Sequence, residues 1–164
     1  MNDMVIQVDS REKAHAIKHI LAEFDKQGVQ YFVSKLPQAD YMSLDNPKLL
    51  IDRKRSMLEI CQNVVQDHAR FARELERAKK YGQHIVVLIE EGHGSTCLND
   101  VINWKNPRLK QSPMAVSGER LFRILSTMQN NHDKYDVEFM FCTKADTGKR
   151  IIEILSEGAN NADQ

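Results

Sequence analysis

Five apolar residues run without a break, Ile85-Val86-Val87-Leu88-Ile89, between His84 and Glu90. A run this short and this uniform suits a strand buried on both faces, and parallel pairing is its natural context. The remaining pattern has to supply the helices that cover it. Apolar residues at three-and-four spacing (Ala14, Ile17, Leu21, Phe24) predict a helix over residues 11–27 that Gly28 stops. A second helical stretch, in one piece or two, is expected over 56–81 with Val64, Phe71, Leu75 and Ala78 inward and Gly82 at its end. A third is expected over 117–130 on Leu121, Ile124, Leu125 and Met128, and a fourth is opened by the capping box Thr143-Lys144-Ala145-Asp146.

Strands are expected at residues 4–8 and 137–142, with three more at 29–34, 39–44 and 49–52. The turn sequence Asp45-Asn46-Pro47 separates the last two of those three, which together read as an antiparallel meander or hairpin. Residues 91–113 read as a long loop with local helix around 98–104. Alternating strands and helices in 164 residues give one α/β domain with a central mixed β-sheet flanked by helices. No apolar run approaches the roughly 20 residues of a spanning helix, and the first residues do not form a signal peptide, so an intracellular protein is expected. Three cysteines, Cys61, Cys97 and Cys142, have no paired spacing and are read as reduced thiols.

With 23 basic and 23 acidic residues the chain lacks the bulk attraction for polyanions that a basic protein has, so such a partner must meet local patches. Basic clusters occur at Arg53-Lys54-Arg55, at Arg70, Arg73, Arg77, Lys79 and Lys80, and at Lys105, Arg108 and Lys110. Nucleotide-loop, zinc-protease and serine-hydrolase motifs are absent.

The chemistry gathers at strand ends. Asp40 stands in Leu36-Pro37-Gln38-Ala39-Asp40-Tyr41, and Asp52 closes Leu49-Leu50-Ile51, followed by Arg53 and Lys54. In a strand, residues two apart share a face, so Asp52 and Lys54 point to one side. If the two segments pair, two carboxylates and an amine converge. Carboxylates held close repel, and a hard divalent cation relieves this by taking oxygen ligands from both. The cation would polarise a phosphoryl oxygen, and the lysine would orient or help deprotonate a water. The same spacing also fits two solvated turn carboxylates with Lys54 paired at the surface.

Val8-Asp9-Ser10-Arg11-Glu12, Leu36-Pro37-Gln38-Ala39-Asp40-Tyr41 and Ile51-Asp52-Arg53-Lys54-Arg55-Ser56 resemble, in order and spacing, the V-D-x-R-E, L-x-x-G-D-Y and V-E-R-K-S series of the XPF/Hef-type structure-specific endonucleases. Similarity continues through Arg73-Glu74-Leu75 to Tyr81, the strand ending Leu88-Ile89-Glu90, and Lys144-Ala145-Asp146, roughly residues 4–156. The resemblance implies a restriction-endonuclease-like core with Mg²⁺ or Mn²⁺ held by Asp40 and Asp52, Lys54 as the catalytic lysine, Asp9 completing or supporting the metal shell, and Glu12 holding a water or a second cation. Arg11 and Arg53 would bind phosphate or brace the carboxylates; Arg55, Arg73 and Arg77 would contact DNA.

Three positions depart from the family pattern: Ala39 replaces its Gly, Asp52 its Glu, and Leu58 its acid four places after the Lys, with Glu59 next to it. The family's tandem helix-hairpin-helix module is not seen after Leu155, so the expectation is a nuclease domain over 1–157 and a flexible tail over 158–164, in a bacterial or phage setting. The activity implied is metal-dependent cleavage of branched or junction DNA. Alternatives are an inactive DNA-binding or scaffold member, and a Holliday-junction resolvase or exonuclease of the same superfamily. Homodimerisation through Leu121, Phe122, Leu125 and Met128 is a further expectation, weighed against those residues being core.

Overall fold

A computed structural model describes the chain over residues 3–162. Its strands are β1 (Val5–Val8), β2 (Gln30–Val33), β3 (Tyr41–Ser43), β4 (Asn46–Lys54), β5 (His84–Glu90) and β6 (Val137–Cys142), in one sheet ordered β2-β1-β3-β4-β5-β6. Only β3 runs against the others, so the sheet is mixed. The helices are α1 (Lys18–Lys26), α2 (Met57–Val65), α3 (His68–Lys80), α4 (Gly118–Asn130) and α5 (Thr147–Ala162).

The run 85–89 is the inner strand β5, paired in parallel with β4 and β6. Its residues alternate between two cores. Ile85, Val87 and Ile89 join Leu50 and the inward faces of α2, α3 and α4, among them Ile60, Phe71, Leu75, Leu121 and Leu125. Val86 and Leu88 join Ile51 and the faces of α1 and α5, among them Ile20, Phe24, Ile151 and Leu155. Helices therefore cover both sides, as a parallel strand without polar residues requires. No helix among the described residues is long and apolar enough to cross a membrane.

The expected three-strand meander is a two-strand hairpin, β3 to β4, plus an edge strand. β2 pairs in parallel with β1 and is reached through α1, a crossover that parallel strands require. The hairpin turn falls on Leu44-Asp45, and Asn46 already begins β4. Helix α1 begins at Lys18 rather than at residue 11. Residues 10–17 instead form short turns, such as Glu12 N–H to the Asp9 carbonyl at 3.1 Å, because Arg11 and Glu12 are drawn into the contacts described below. Gly28 and Gly82, both at φ +70°, follow α1 and α3 as expected, since only glycine takes that conformation cheaply. The 56–81 stretch does divide in two, at Gln66-Asp67.

The apolar residues of α4 offered for dimerisation are core: Leu121 and Leu125 are fully buried, Met128 nearly so, and Phe122 packs half-buried against the same cluster. The three cysteines are free thiols, Cys61 and Cys142 buried and Cys97 exposed. Helix α5 runs four residues past Gly158, whose carbonyl accepts from Asn46 Nδ2 at 3.4 Å, and residues 163–164 of the tail lie outside the described residues.

The loop 91–113 carries short 3-10 turns at Leu98–Asn103 and Pro107–Lys110, and the first abuts the start of α4. A Cβ on Gly118 would lie 2.4 Å from the Trp104 carbonyl oxygen and 2.6 Å from that of Val101. Backbone oxygens cannot swing aside, so Gly118→Ala is expected to destabilise the fold by about 1–3 kcal/mol. Urea unfolding measures this, and a change below about 0.5 kcal/mol would show that the loop gives way freely.

Candidate active site

Because β1, β4 and β5 run the same way, their carboxyl ends share one edge of the sheet, and the reversed β3 brings its beginning to that edge too. Asp9 lies just beyond β1, Asp40 just before β3, Asp52 to Lys54 at the end of β4, and Glu90 at the end of β5. Parity then sorts them. Asp52 and Lys54 follow Leu50 onto the α2–α3 side, and Arg53 follows Ile51 onto the α1–α5 side.

A cleft of about 200 Å³ opens at this edge, lined among others by Glu12, Asp40, Asp52, Lys54, Arg55 and Glu59. Asp40 is anchored by main chain, its N–H donating to the Ile51 carbonyl at 2.9 Å and its carbonyl accepting from Asp9 N–H at 2.8 Å. Its Oδ2 accepts from Arg53 N–H at 2.8 Å. Burial, then the charge and hydrogen bond of Asp52, push the Asp40 carboxyl well above its ordinary range. The repulsion between two adjoining carboxylates is what a divalent cation would relieve.

Lys54 Nζ sits 3.2 Å from Asp52 Oδ2 and 5.4 Å from the Phe71 ring centre. Burial works to lower its pKa, but Asp52, with Glu59 and Asp40 behind it, outweighs this and holds the ammonium above its ordinary value. Lys54 is thus a cation, able to donate hydrogen bonds and unable to accept a proton. Among the described residues no group of three or more His, Cys, Asp or Glu is arranged to hold a cation unaided. Two carboxylates and open space suit Mg²⁺, which keeps waters and is held by one or two carboxylates together with phosphate.

The raised Asp40 pKa makes stability depend on pH. Between the ordinary carboxylate value and the raised one, the native state holds more protons than the unfolded chain, so stability falls as pH rises through that window. In EDTA the protein is expected to withstand urea better at about pH 5 than at about pH 8, and Asp40→Asn to shrink that difference. An unchanged difference in the variant would remove Asp40 as its source.

Arg53 is buried and grips carboxylates from two elements. Its Nη2 and Nε donate to Glu12 Oε2 at 2.9 and 3.1 Å, and its Nη1 donates to Glu90 Oε1 at 2.5 Å. Tyr41 OH also donates to Glu12 Oε2, at 3.3 Å. Of the two roles expected for Arg53, bracing is the one these contacts show. Arg11 braces as well: its Nε donates to Asp9 Oδ2 at 2.7 Å and its Nη2 to the Leu36 carbonyl at 2.9 Å. The other oxygen of Asp9 accepts from Leu36 N–H at 2.9 Å, and Asp9 does not line the cleft. Its carboxylate ties β1 to the segment leading into Asp40.

Arg55 is exposed and pairs with Glu59 Oε2 at 3.4 Å, and its backbone N–H donates to the same oxygen at 3.0 Å. Glu59 thereby stands at the cleft where the family's acid at position 58 is missing, while Leu58 points outward. Arg73 and Arg77 are exposed on α3, away from the cleft lining. Glu74, on the same helix, is a site residue that spacing arguments did not single out. Its Oε1 accepts from Ala39 N–H at 3.2 Å, and burial, then Asp52, raise its pKa, with the Ala39 N–H and Lys54 pulling the other way. Ala39 itself has φ +64°, a conformation that costs a side-chain-bearing residue about 1–2 kcal/mol and explains why glycine is at home there.

The family model for the ERCC4 domain matches residues 8–151. No curated protein matches the chain. Among solved structures it is similar to XPF from Aeropyrum pernix, with a TM-score of 0.63 and 18% identity over 95% of this chain and 65% of that one. A second structure, XPF from Aeropyrum pernix in complex with DNA, gives 0.64 and 16% over 97% of this chain and 66% of that one. The chain thus spans about two thirds of the length of each, and at these identities the likeness establishes a shared fold. With that fold and a match over most of its length, this chain belongs to the ERCC4-domain family of XPF/Hef-type nuclease domains.

Proposed function

We propose that this chain is a divalent-metal-dependent DNA endonuclease that hydrolyses a phosphodiester at branched or junction DNA. The observation that carries the reading is the half-buried Asp40 adjoining the buried Asp52, with Lys54 beside them, in one open cleft. Asp40 and Asp52 would hold Mg²⁺ or Mn²⁺, which when bound polarises a phosphoryl oxygen and lowers the pKa of its water. Lys54, kept as ammonium, donates hydrogen bonds to the attacking water or to a non-bridging phosphate oxygen and offsets the charge that builds there. Water forms the new P–O bond as the in-line P–O bond to one sugar oxygen breaks; the water gives a proton to solvent, the leaving oxygen takes one from solvent, and the other ester bond is kept. Arg53 and Arg11 hold the acidic residues in place, while the exposed Arg55, Arg73 and Arg77 would meet flanking phosphates. The protein would work inside the cell, nucleoid-associated or phage-encoded in a bacterial host. The DNA bound in the second Aeropyrum pernix structure supports DNA as the polymer.

The test is cleavage of end-labelled flap, fork, four-way-junction and plain duplex DNA with Mg²⁺ or Mn²⁺. Metal-dependent cutting near a branch, indifferent to base sequence, is the expected result. Binding without cutting in either metal would overturn the catalytic reading in favour of a DNA-binding scaffold, and cuts set by base sequence would overturn the structural selectivity.

A further inference from the structure

Beside the cleft lies a larger groove of about 730 Å³, between α2, the 3-10 turn Pro107–Lys110 and the first turn of α4. It shares Arg55 and Glu59 with the cleft, so a strand leaving Asp40 and Asp52 enters it without a gap. Two kinds of surface meet there. Arg55, Arg108 and Arg120 supply positive charge, and the one acid among the lining residues, Glu59, already accepts from Arg55. The field of Arg108 and Arg120 reaches the thiol of Cys61 at the groove's inner wall. Apolar surface comes from Leu58, 38% exposed, and Met114, 86% exposed.

The opposite flank of the cleft differs. It is lined by Lys18, Lys144, His15 and His19, together with Arg53 and Arg55 and one acid, Glu90, which Arg53 already holds, and by no large apolar side chain. Duplex DNA keeps its base faces stacked inside and shows a protein mainly phosphates, so an apolar wall gains less from it than from an unpaired strand. An unpaired strand shows phosphates and base faces together, which is the combination of arginines with a polarisable Met and a Leu. We infer that the α2–α4 groove receives the unpaired strand at a DNA branch while the paired arm crosses the Lys18 and Lys144 flank, which gives the branch a fixed direction over the cleft. This rests on DNA being the substrate, as proposed above, and goes beyond it by assigning each arm to a surface.

The test is fluorescence anisotropy in EDTA, with a labelled oligothymidylate and a duplex of the same length as probes. Arg108→Ala/Met114→Ser changes two exposed side chains, and Lys18→Ala/Lys144→Ala is its counterpart on the other flank. The first double variant is expected to raise the oligothymidylate Kd about tenfold and leave the duplex Kd within about twofold; the second should do the reverse. Equal losses on both probes would reduce the groove to a general phosphate patch, and an unchanged oligothymidylate Kd, or no binding of it by the unaltered protein, would overturn the assignment. Because no metal is present, this result is separate from catalysis. A protein that cuts nothing in Mg²⁺ or Mn²⁺ yet shows the selective loss keeps the groove and loses the nuclease reading, and one that cuts without the selective loss does the opposite.

Discussion

Asp40→Asn is expected to lower metal-dependent cleavage by about a thousandfold while leaving the protein as stable as the unaltered chain in EDTA, or more so. Both effects come from one carboxylate. On the activity side, a metal contributes several kcal/mol of charge stabilisation at a phosphoryl group, and about 4 kcal/mol corresponds to about a thousandfold in rate. Asn removes the anionic oxygen that a hard cation needs. On the stability side, Asp40 is half-buried beside Asp52, and its charge is opposed by desolvation and by that neighbour. Asn can still accept from Arg53 N–H through its side-chain oxygen, the contact that Asp40 Oδ2 makes at 2.8 Å, and can turn its amide toward Asp52. Mg²⁺ should accordingly raise the melting temperature of the unaltered protein and not that of Asp40→Asn, since ligand stabilisation requires binding to the native state. Urea midpoints and melting curves with and without Mg²⁺ check this beside the cleavage assay. A variant that is inactive because its EDTA midpoint has dropped would mean that Asp40 is structural.

The parts of this site that could be read from sequence are those with local rules. The apolar run at 85–89 announces a strand covered on both sides, and period two along β4 separates Asp52 and Lys54 from Arg53 before any coordinates are known. What could not be read depends on contacts between distant segments. β2 pairs with β1 in parallel because α1 carries the chain over the sheet, and nothing in residues 29–34 distinguishes that from a hairpin. Helix α1 starts late because Asp9 is held by Leu36, and Glu12 by Arg53, 41 positions away. By resemblance Asp9 reads as completing or supporting the metal shell, and Glu12 as holding a water or a second cation. The structure gives Asp9 two internal partners and leaves Glu12 at the cleft wall.

Glu74 did leave a signal. It stands on the stripe of α3 that Phe71, Leu75 and Ala78 bury, and an acid on an inward stripe has to be accounted for by what it faces. Here it faces the Ala39 N–H and Asp52, so the helix brings another carboxylate to the site from outside the three sequence motifs.

Arg53→Met is expected to cost about 3–5 kcal/mol of stability, a large part of the roughly 5–15 kcal/mol that holds a domain of this kind together. The side chain of Arg53 is only 5% exposed, and its two partners, Glu12 and Glu90, are 9% and 4% exposed. At those exposures both carboxylates keep little access to water when the guanidinium is removed, and the penalty is that of leaving two largely covered carboxylates without a countercharge. Arg53→Lys should recover only part of it, because one ammonium cannot reproduce the fork that reaches Glu12 from β4 through two nitrogens and Glu90 through a third. The decisive comparison is the triple change Glu12→Gln, Arg53→Met, Glu90→Gln. With both charges gone together with the cation, stability should return to within about 1–2 kcal/mol of the unaltered protein, since removing a buried ion cluster whole is far cheaper than breaking it. Urea unfolding of the three variants measures the series. If Arg53→Met loses less than about 1 kcal/mol, the cluster is screened by solvent, and Arg53 would then be available to DNA phosphate; DNA binding that weakens in Arg53→Met at unchanged stability is the outcome that would establish it there.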